Sequence, residues 1–286
     1  MYRILCLLAA WAWCASAHAQ AGGPAKSSPY DSARFHLFKP VPRNQLRELR
    51  PDRPGVTESP FTVDAGHLQI ETDALRLINR RDDDKREREW HAAYVTAKLG
   101  LWRRTDVQVE TPLYSVQKER MADEPTWQTH RGFGDVAVRL KHNFIGDDQE
   151  GPVAVAAVGY VRLPTGGQAG EGGVEGGLIL PLDWHIGEKW NLETQLETDL
   201  NYDREDAEHF VRVMPSVAVD YEVNQKLSVL LEGVTKWDAK HTGWRSSVNV
   251  APIINLTDNV QFDFGGHFAL NRDMDREFFV GFTVRR

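Results

Sequence analysis

From residue 190 the chain alternates strictly. Trp190, Leu192, Leu196 and Leu200 interleave with Asn191, Glu193, Gln195, Glu197 and Asp199. Successive side chains of a strand point to opposite faces, so this stretch predicts a strand with one apolar and one polar face. The pattern recurs along the chain and predicts twelve strands, over 66–78, 90–101, 106–114, 134–144, 153–163, 178–186, 190–200, 210–221, 227–237, 244–254, 260–270 and 277–284. Leu68 and Ile70 oppose Gln69, Glu71 and Asp73; Val107 and Val109 oppose Asp106, Gln108 and Glu110. Val136, Val138 and Leu140 oppose Asp135, Arg139 and Lys141, and in the last two strands Phe262, Phe264, Phe268, Phe278, Val280 and Phe282 take the apolar face. Most of these stretches have the length a tilted strand needs to cross a bilayer, about 9–11 residues.

A soluble sandwich would alternate too, but two further patterns separate the architectures. Connections after odd strands are long or charged (80–85, 117–131, 164–176, 202–208, 238–243, 272–276), and those after even strands are mostly tight (103–104, 146–151, 187–188, 224–225, 257–258). Long outer loops and short periplasmic turns are what a bacterial membrane barrel shows. Trp90, Trp237 and Trp244 fall at the strand ends nearest the long loops, and Trp102, Trp184 and Trp190 at the other ends, as two interfacial girdles require. The expected fold is an all-β, transmembrane, antiparallel up-and-down barrel of about 12 strands, an even count, over 61–286.

The remaining segments fit that compartment. Arg3 followed by an apolar run and Ala17-His18-Ala19 reads as a signal peptide over 1–19. Cys6 and Cys14, the only cysteines, lie within it, so the mature chain is expected to have no thiol chemistry. Cys14 as a lipid-anchor site competes poorly, because Trp13 stands where a small residue is needed. Residues 20–60 are polar and proline-rich and are expected to form a periplasmic segment, with 35–49 a short helix or tucked into the lumen. The mean hydropathy of −0.46 excludes a helical membrane protein, but suits a barrel whose strands are polar on one side. A net charge of −7 argues against nucleic-acid binding, which needs cations on phosphates.

Several short strings carry a resemblance. Asp52-Arg53-Pro54, Thr57-Glu58-Ser59-Pro60 and Gly66-His67-Leu68-Gln69-Ile70-Glu71, then Gly134-Asp135-Val136, Leu163-Pro164-Thr165-Gly166 and Leu256-Thr257-Asp258-Asn259, resemble a bacterial outer-membrane family. That family is labelled a transporter of the meta-pathway of phenol degradation. The resemblance covers most of the chain after about residue 35 and implies a barrel passing small, aromatic or hydrophobic solutes. The chain departs from the usual pattern at its end, Thr283-Val284-Arg285-Arg286, where such barrels carry an aromatic assembly signal.

Covalent chemistry finds little support. His241 with Ser246 or Ser247 is the nearest nucleophile–base pairing, with no third orienting group, and no G-x-S-x-G occurs. His142 shares the parity of Leu140 and Phe144 and is expected outward; His267 shares that of Asp263 and is expected in the lumen. No histidine spacing suits zinc, and Asp82-Asp83-Asp84 lacks the rest of a calcium loop. Gly166 to Gly177 reads as a flexible surface loop, without the third glycine or following helix of a phosphate cradle. No cofactor or metal is expected.

Function is then expected in the lumen. The candidate pore-lining residues are Glu71, Asp106, Glu110, Asp135, Arg139, Lys141, Glu193, Glu197, Asp199, Arg212, Glu232, Arg245, Asp263 and His267, with Arg162, Asp220 and Lys236 on the same faces. They either pair and fill the interior or form a polar constriction that favours cations and neutral molecules. The expected protein is an outer-membrane channel or transporter of small solutes. Its expected partners are outer-membrane lipid, solute and the barrel-assembly machinery. The alternatives are a membrane-embedded lipid or lipopolysaccharide hydrolase and a structural or adhesive barrel.

Overall fold

The structure is a computed structural model that describes residues 34–81, 85–121, 123–147, 151–240, 243–271 and 274–286. The signal-peptide reading of 1–19 and the acidic triplet 82–84 therefore lie outside the described residues. The strands are β1 (Leu68–Arg81), β2 (Lys85–Trp102), β3 (Thr105–Met121), β4 (Gln128–Gly132), β5 (Val136–Ile145), β6 (Val153–Leu163) and β7 (Glu175–Ile186). They continue with β8 (Trp190–Asp203), β9 (Glu208–Asn224), β10 (Leu227–Asp238), β11 (Arg245–Thr257), β12 (Val260–Ala269) and β13 (Arg276–Arg285). Neighbours in sequence pair antiparallel, except that β4 and β5 both pair with β3, and β1 pairs with β13, so the sheet closes on itself. Closure leaves no sheet edge around the ring, which lets a sheet stand in lipid.

Thirteen strands make a barrel of twelve staves because β4 and β5 are two pieces of one. Glu110 faces Ala137 and Ser115 faces Gly132, the same register carried across the break. The break lies opposite Pro112, which has no N–H to give the ladder. Gly134 donates its own N–H to the Pro112 carbonyl at 3.0 Å and lies so close that a Cβ there would stand 2.0 Å from the proline ring. The same level is irregular in its neighbours: Ala74 and Ala93 drop out of the pairing, Ala93 with φ of 56°. Above it the alternation changes parity, so Ile78, Glu89, His91 and Ser115 are the buried positions there. Sequence alternation ended the third strand at 114 because the pattern reverses at this level.

The faces sort by polarity as the alternation requires. Leu140, Leu196, Leu231, Phe264, Phe268, Phe278 and Phe282 stand on the exposed outer surface, and Trp90, Trp102, Trp184, Trp190 and Trp244 are about half exposed on its two rims. Inside, Asp106, Gln108, Lys141, Asn143, Glu232, Asn249 and Asp263 are fully buried or nearly so. Burying charge costs several kcal/mol per ion unless it is paired, so which interior charges find partners decides how the wall is held. Buried apolar side chains form one small cluster of Ala218, Leu230, Ala251, Ile253 and Phe279. An apolar exterior around a polar interior fits a membrane as the surrounding solvent.

Candidate functional site in the barrel lumen

Residues 20–60 are not separate from the barrel where they are described. The chain crosses the tight-turn end, with Leu37 N–H on the Leu101 carbonyl at 2.8 Å and a 3-10 turn at Arg43–Gln45, then runs inward. Asp52 lies between the ammonium groups of Lys98 and Lys141, the latter at 2.5 Å. Arg53 spans Asp73 and Asp263, the second at 2.5 Å. The N–H groups of Val56 and Thr57 donate to the Glu232 carboxylate at 3.0 and 2.6 Å, and the Thr57 hydroxyl meets Ser216 Oγ at 2.7 Å. Glu58 pairs with Arg139, which also donates to Glu110 at 2.7 Å. Lys141 and Asn143 donate to the carbonyls of Ser59 and Pro60, and Val63 N–H donates to Asp106 at 2.9 Å. Asp64 closes the run on Arg47 at 2.7 Å and Arg285 at 3.4 Å.

A proline-rich segment suits this course. It cannot join a ladder or bury a face of its own, so its backbone groups are satisfied by wall side chains instead. Burial alone would push the Asp52 carboxyl up, but Lys141, Lys98 and Arg139 override it and hold the carboxyl well below the ordinary carboxylate range. Arg53 is likewise favoured as its cation, Asp73 and Asp263 outweighing the cost of burial.

The candidate residues divide into two groups. Glu71, Asp106, Glu110, Arg139, Lys141, Glu232 and Asp263 hold the segment directly or through one shared partner; Glu71 reaches Lys98 and accepts the Asp52 N–H at 3.2 Å. Glu193, Glu197, Asp199 and Arg212 lie on β8 and β9, where the segment also touches the wall: Glu58 N–H donates to Gln195 Oε1 at 2.7 Å, the residue that in turn bonds Glu197. There Asp199 takes Arg212 at 2.9 Å and the Tyr160 hydroxyl at 2.7 Å, while Glu197 takes Gln195 at 3.0 Å. Asp183 and Glu193 stand directly opposite on paired strands, bridged by the Asn191 amide. With Asp220 these make five carboxylates facing Arg212 and, at the tight-turn end, Arg50, whose Nη2 lies 3.1 Å from His185 Nε2.

Three candidates belong to neither group. Asp135 accepts the N–H groups of Gly166 and Glu171, each at 2.7 Å, and a Cβ on Gly170 would stand 2.2 Å from it. The glycine-rich stretch is thus packed onto the break between β4 and β5. Arg245 pairs with Asp238, and His267 lies 3.5 Å from Glu277. His142 is outward and hydrogen-bonded to Thr105 at 2.8 Å; Ser246 meets Thr235 and Ser247 meets Asn249, while His241 lies outside the described residues. Among the described residues no group of three His, Cys, Asp or Glu is placed to hold a metal ion. Alternation missed Asp52, Arg53, Thr57 and Glu58, whose signal was a dense run of charge and proline opposite an interior full of counter-charges.

The sequence profile of a family described as "MetA-pathway of phenol degradation" matches residues 51–284. The chain belongs to that family. The matched region begins where the segment enters its ion pairs, so segment and wall fall within one family unit. No curated protein sequence matches the chain. Among solved structures it is similar to the COG4313 outer membrane channel from Pseudomonas putida F1, at 12% identity with a TM-score of 0.58 over 82% of this chain and 99% of that one. A KdgM porin covers 73% of this chain and 97% of its own at 7% identity with a TM-score of 0.46. The translocator domain of the autotransporter NalP from Neisseria meningitidis covers 82% and 90% at 8% identity with a TM-score of 0.45.

Proposed function

We propose that this protein is an outer-membrane channel for small neutral or cationic solutes, whose route follows the acid-rich wall of β7 to β9. The observation that carries the reading is the asymmetry of the interior. One wall spends its charges on the inserted segment, and the other presents Asp183, Glu193, Glu197, Asp199 and Asp220 with few counter-charges. Cavities lie at both ends of the barrel. A space of about 450 Å³ at the long-loop end is lined by Glu89, Gln117, His130 and Glu171, and one of about 150 Å³ at the tight-turn end by Arg50, His185, Asn191 and Asp220.

A ring or stripe of carboxylates favours cations and tolerates neutral molecules. The family's name points to phenols, whose hydroxyl titrates near 10, like that of tyrosine; at neutral pH they are uncharged and not repelled. Ser246 and Ser247, the serines that the sequence sets nearest His241, bond to Thr235 and Asn249. Planar-bilayer recording tests the reading. The expected result is small discrete steps with cation preference, reduced by Glu193→Gln with Glu197→Gln. A folded barrel that passes no current, or one whose selectivity ignores both substitutions, would refute it.

A further inference from the structure

The outer surface of β1 to β3 carries a charge pattern that the lumen does not use. Three successive registers can be followed up this surface, two residues per step. In the lowest, Phe278 faces Leu77, which faces Trp90, which faces Val116. One step on, about 7 Å along the strands, the row reads Arg276, Asn79, Arg88 and Lys118. The next reads Arg81, Arg86 and Arg120. Like charges directly opposite on paired strands repel. The same alternation sends Glu87, Glu89 and Glu119 to the other face, where they pair with Arg80, Lys85, His91 and His130. Among the described residues, no ion pair joins the outward arginines to a carboxylate. Asp82, Asp83 and Asp84, which follow Arg81 in sequence, lie outside them.

Trp127 lies against two of these cations at once, its ring centroid 5.3 Å from the Arg88 guanidinium and 5.0 Å from that of Arg120. Beside it a groove of about 720 Å³ is lined by Arg86, Arg88, Arg120 and Arg276 and, on the membrane side, by Phe268 and Phe278. Those two rings meet edge to face at 5.9 Å and are 47% and 49% exposed. Among the described residues, the outward side chains of these two rows are arginines, a lysine and Asn79, set directly above membrane-facing aromatics; Glu87, which also lines the groove, points to the other face, where Arg80 and Lys85 pair with it. The geometry points to a docking site for a phosphorylated acyl glycolipid of the outer leaflet. Its acyl chains lie along Phe268 and Phe278, and its phosphates lie among Arg86, Arg88, Arg120 and Arg276. Guanidinium groups take phosphate oxygens in bidentate pairs, and the anion relieves the repulsion within each row. The site rests on the membrane reading of the outer surface and is independent of what passes through the lumen.

Native mass spectrometry of the detergent-folded barrel with added diphosphoryl lipid A tests it. The wild type is expected to retain the lipid, and Arg86→Gln with Arg88→Gln and Arg276→Gln to bind it at least about tenfold more weakly, each lost charge-assisted bond costing that order. Heat-modifiable gel mobility shows that the variant remains a folded barrel. A second variant, Arg104→Gln with Lys189→Gln at the opposite rim, is expected to bind as the wild type does. Lipid A stripped of its phosphates is expected to bind as weakly as the triple variant. Unchanged binding by the triple variant or the stripped lipid, or equal loss in the opposite-rim variant, would overturn the site. Glucosamine bisphosphate, which carries no acyl chains, is expected to compete poorly; competition at the lipid's own concentration would make this a soluble-anion site and overturn the lipid assignment.

Discussion

The two inner walls of this barrel are built from the same residue types and put them to different uses. On β1, β2, β3, β5, β10 and β12 the inward charges at the level of the segment, Glu71, Asp73, Lys98, Asp106, Arg139, Lys141, Glu232 and Asp263, meet partners between Asp52 and Asp64, while those nearer the long loops pair with one another. On β7 to β9 the carboxylates meet amides, a tyrosine, His185 and two arginines, Arg212 and, at Glu175, Arg162. A charge taken from a satisfied buried pair strands its partner, whereas one taken from an unbalanced row relieves its neighbours. Substitutions on the two walls should therefore differ in kind.

The largest expected effect is on the segment side. Arg53→Ala strands Asp263 and half-strands Asp73, and the barrel is expected to lose roughly 3–5 kcal/mol, read as a lower urea midpoint of the folded band. A shift no larger than that of a surface arginine would dissolve the contrast. On the acid side, Glu197→Gln is expected to leave that midpoint unchanged or raised while weakening cation preference; a stability loss matching Arg53→Ala would make the two walls alike. Gly134→Ala is expected to cost about 1–3 kcal/mol, the usual range for overpacking, because its methyl meets the Pro112 ring. Pairing it with Pro112→Ala should recover most of the loss, and failure to recover would place the strain elsewhere.

Acid provides a finer comparison. The Asp52 carboxyl is held below its ordinary value of 3.8 by Lys141, Lys98 and Arg139 against the cost of burial. A depressed carboxyl contributes stability that is complete above its unfolded value and is lost as pH falls through the lower folded value. Protection of residues 52–60 from added protease is therefore expected to hold from pH 7 down to about pH 4. Release of the segment near pH 5 would show that these pairs do not hold it.

The contrast also explains what the sequence disclosed. Alternation is local, so it gave away the staves, their outward faces and the tryptophan rims. Where Ala74, Ala93 and Pro112 reverse the parity, the pattern loses phase; the upper part of β3 and all of β4 were hidden for that reason. Asp106 and Glu193 have the same signature in sequence, a carboxylate on the polar side of a strand. Their roles differ only because Val63 N–H reaches one across the lumen while Asn191, from the neighbouring wall positions, serves the other. Asp135 shows the same limit at shorter range, since its partners lie 31 and 36 residues away in a glycine-rich loop. The Asp52 to Pro60 motif was visible as a family string, but its place inside the barrel depends on partners up to 210 residues distant.

A disulfide between the segment and the wall tests the two-wall account most directly. The Thr57 hydroxyl and Ser216 Oγ are 2.7 Å apart, and the chain carries no cysteine beyond Cys14, so Thr57→Cys with Ser216→Cys should cross-link on oxidation. Single-channel conductance is then measured before and after reduction. The account predicts the same steps and the same cation preference in both states, because the segment, fixed to Ser216 on β9 and Gln195 on β8, stays in place while solute passes beside it along the carboxylates of β7 to β9. Current that appears only after reduction would contradict it and make the segment a plug that must leave.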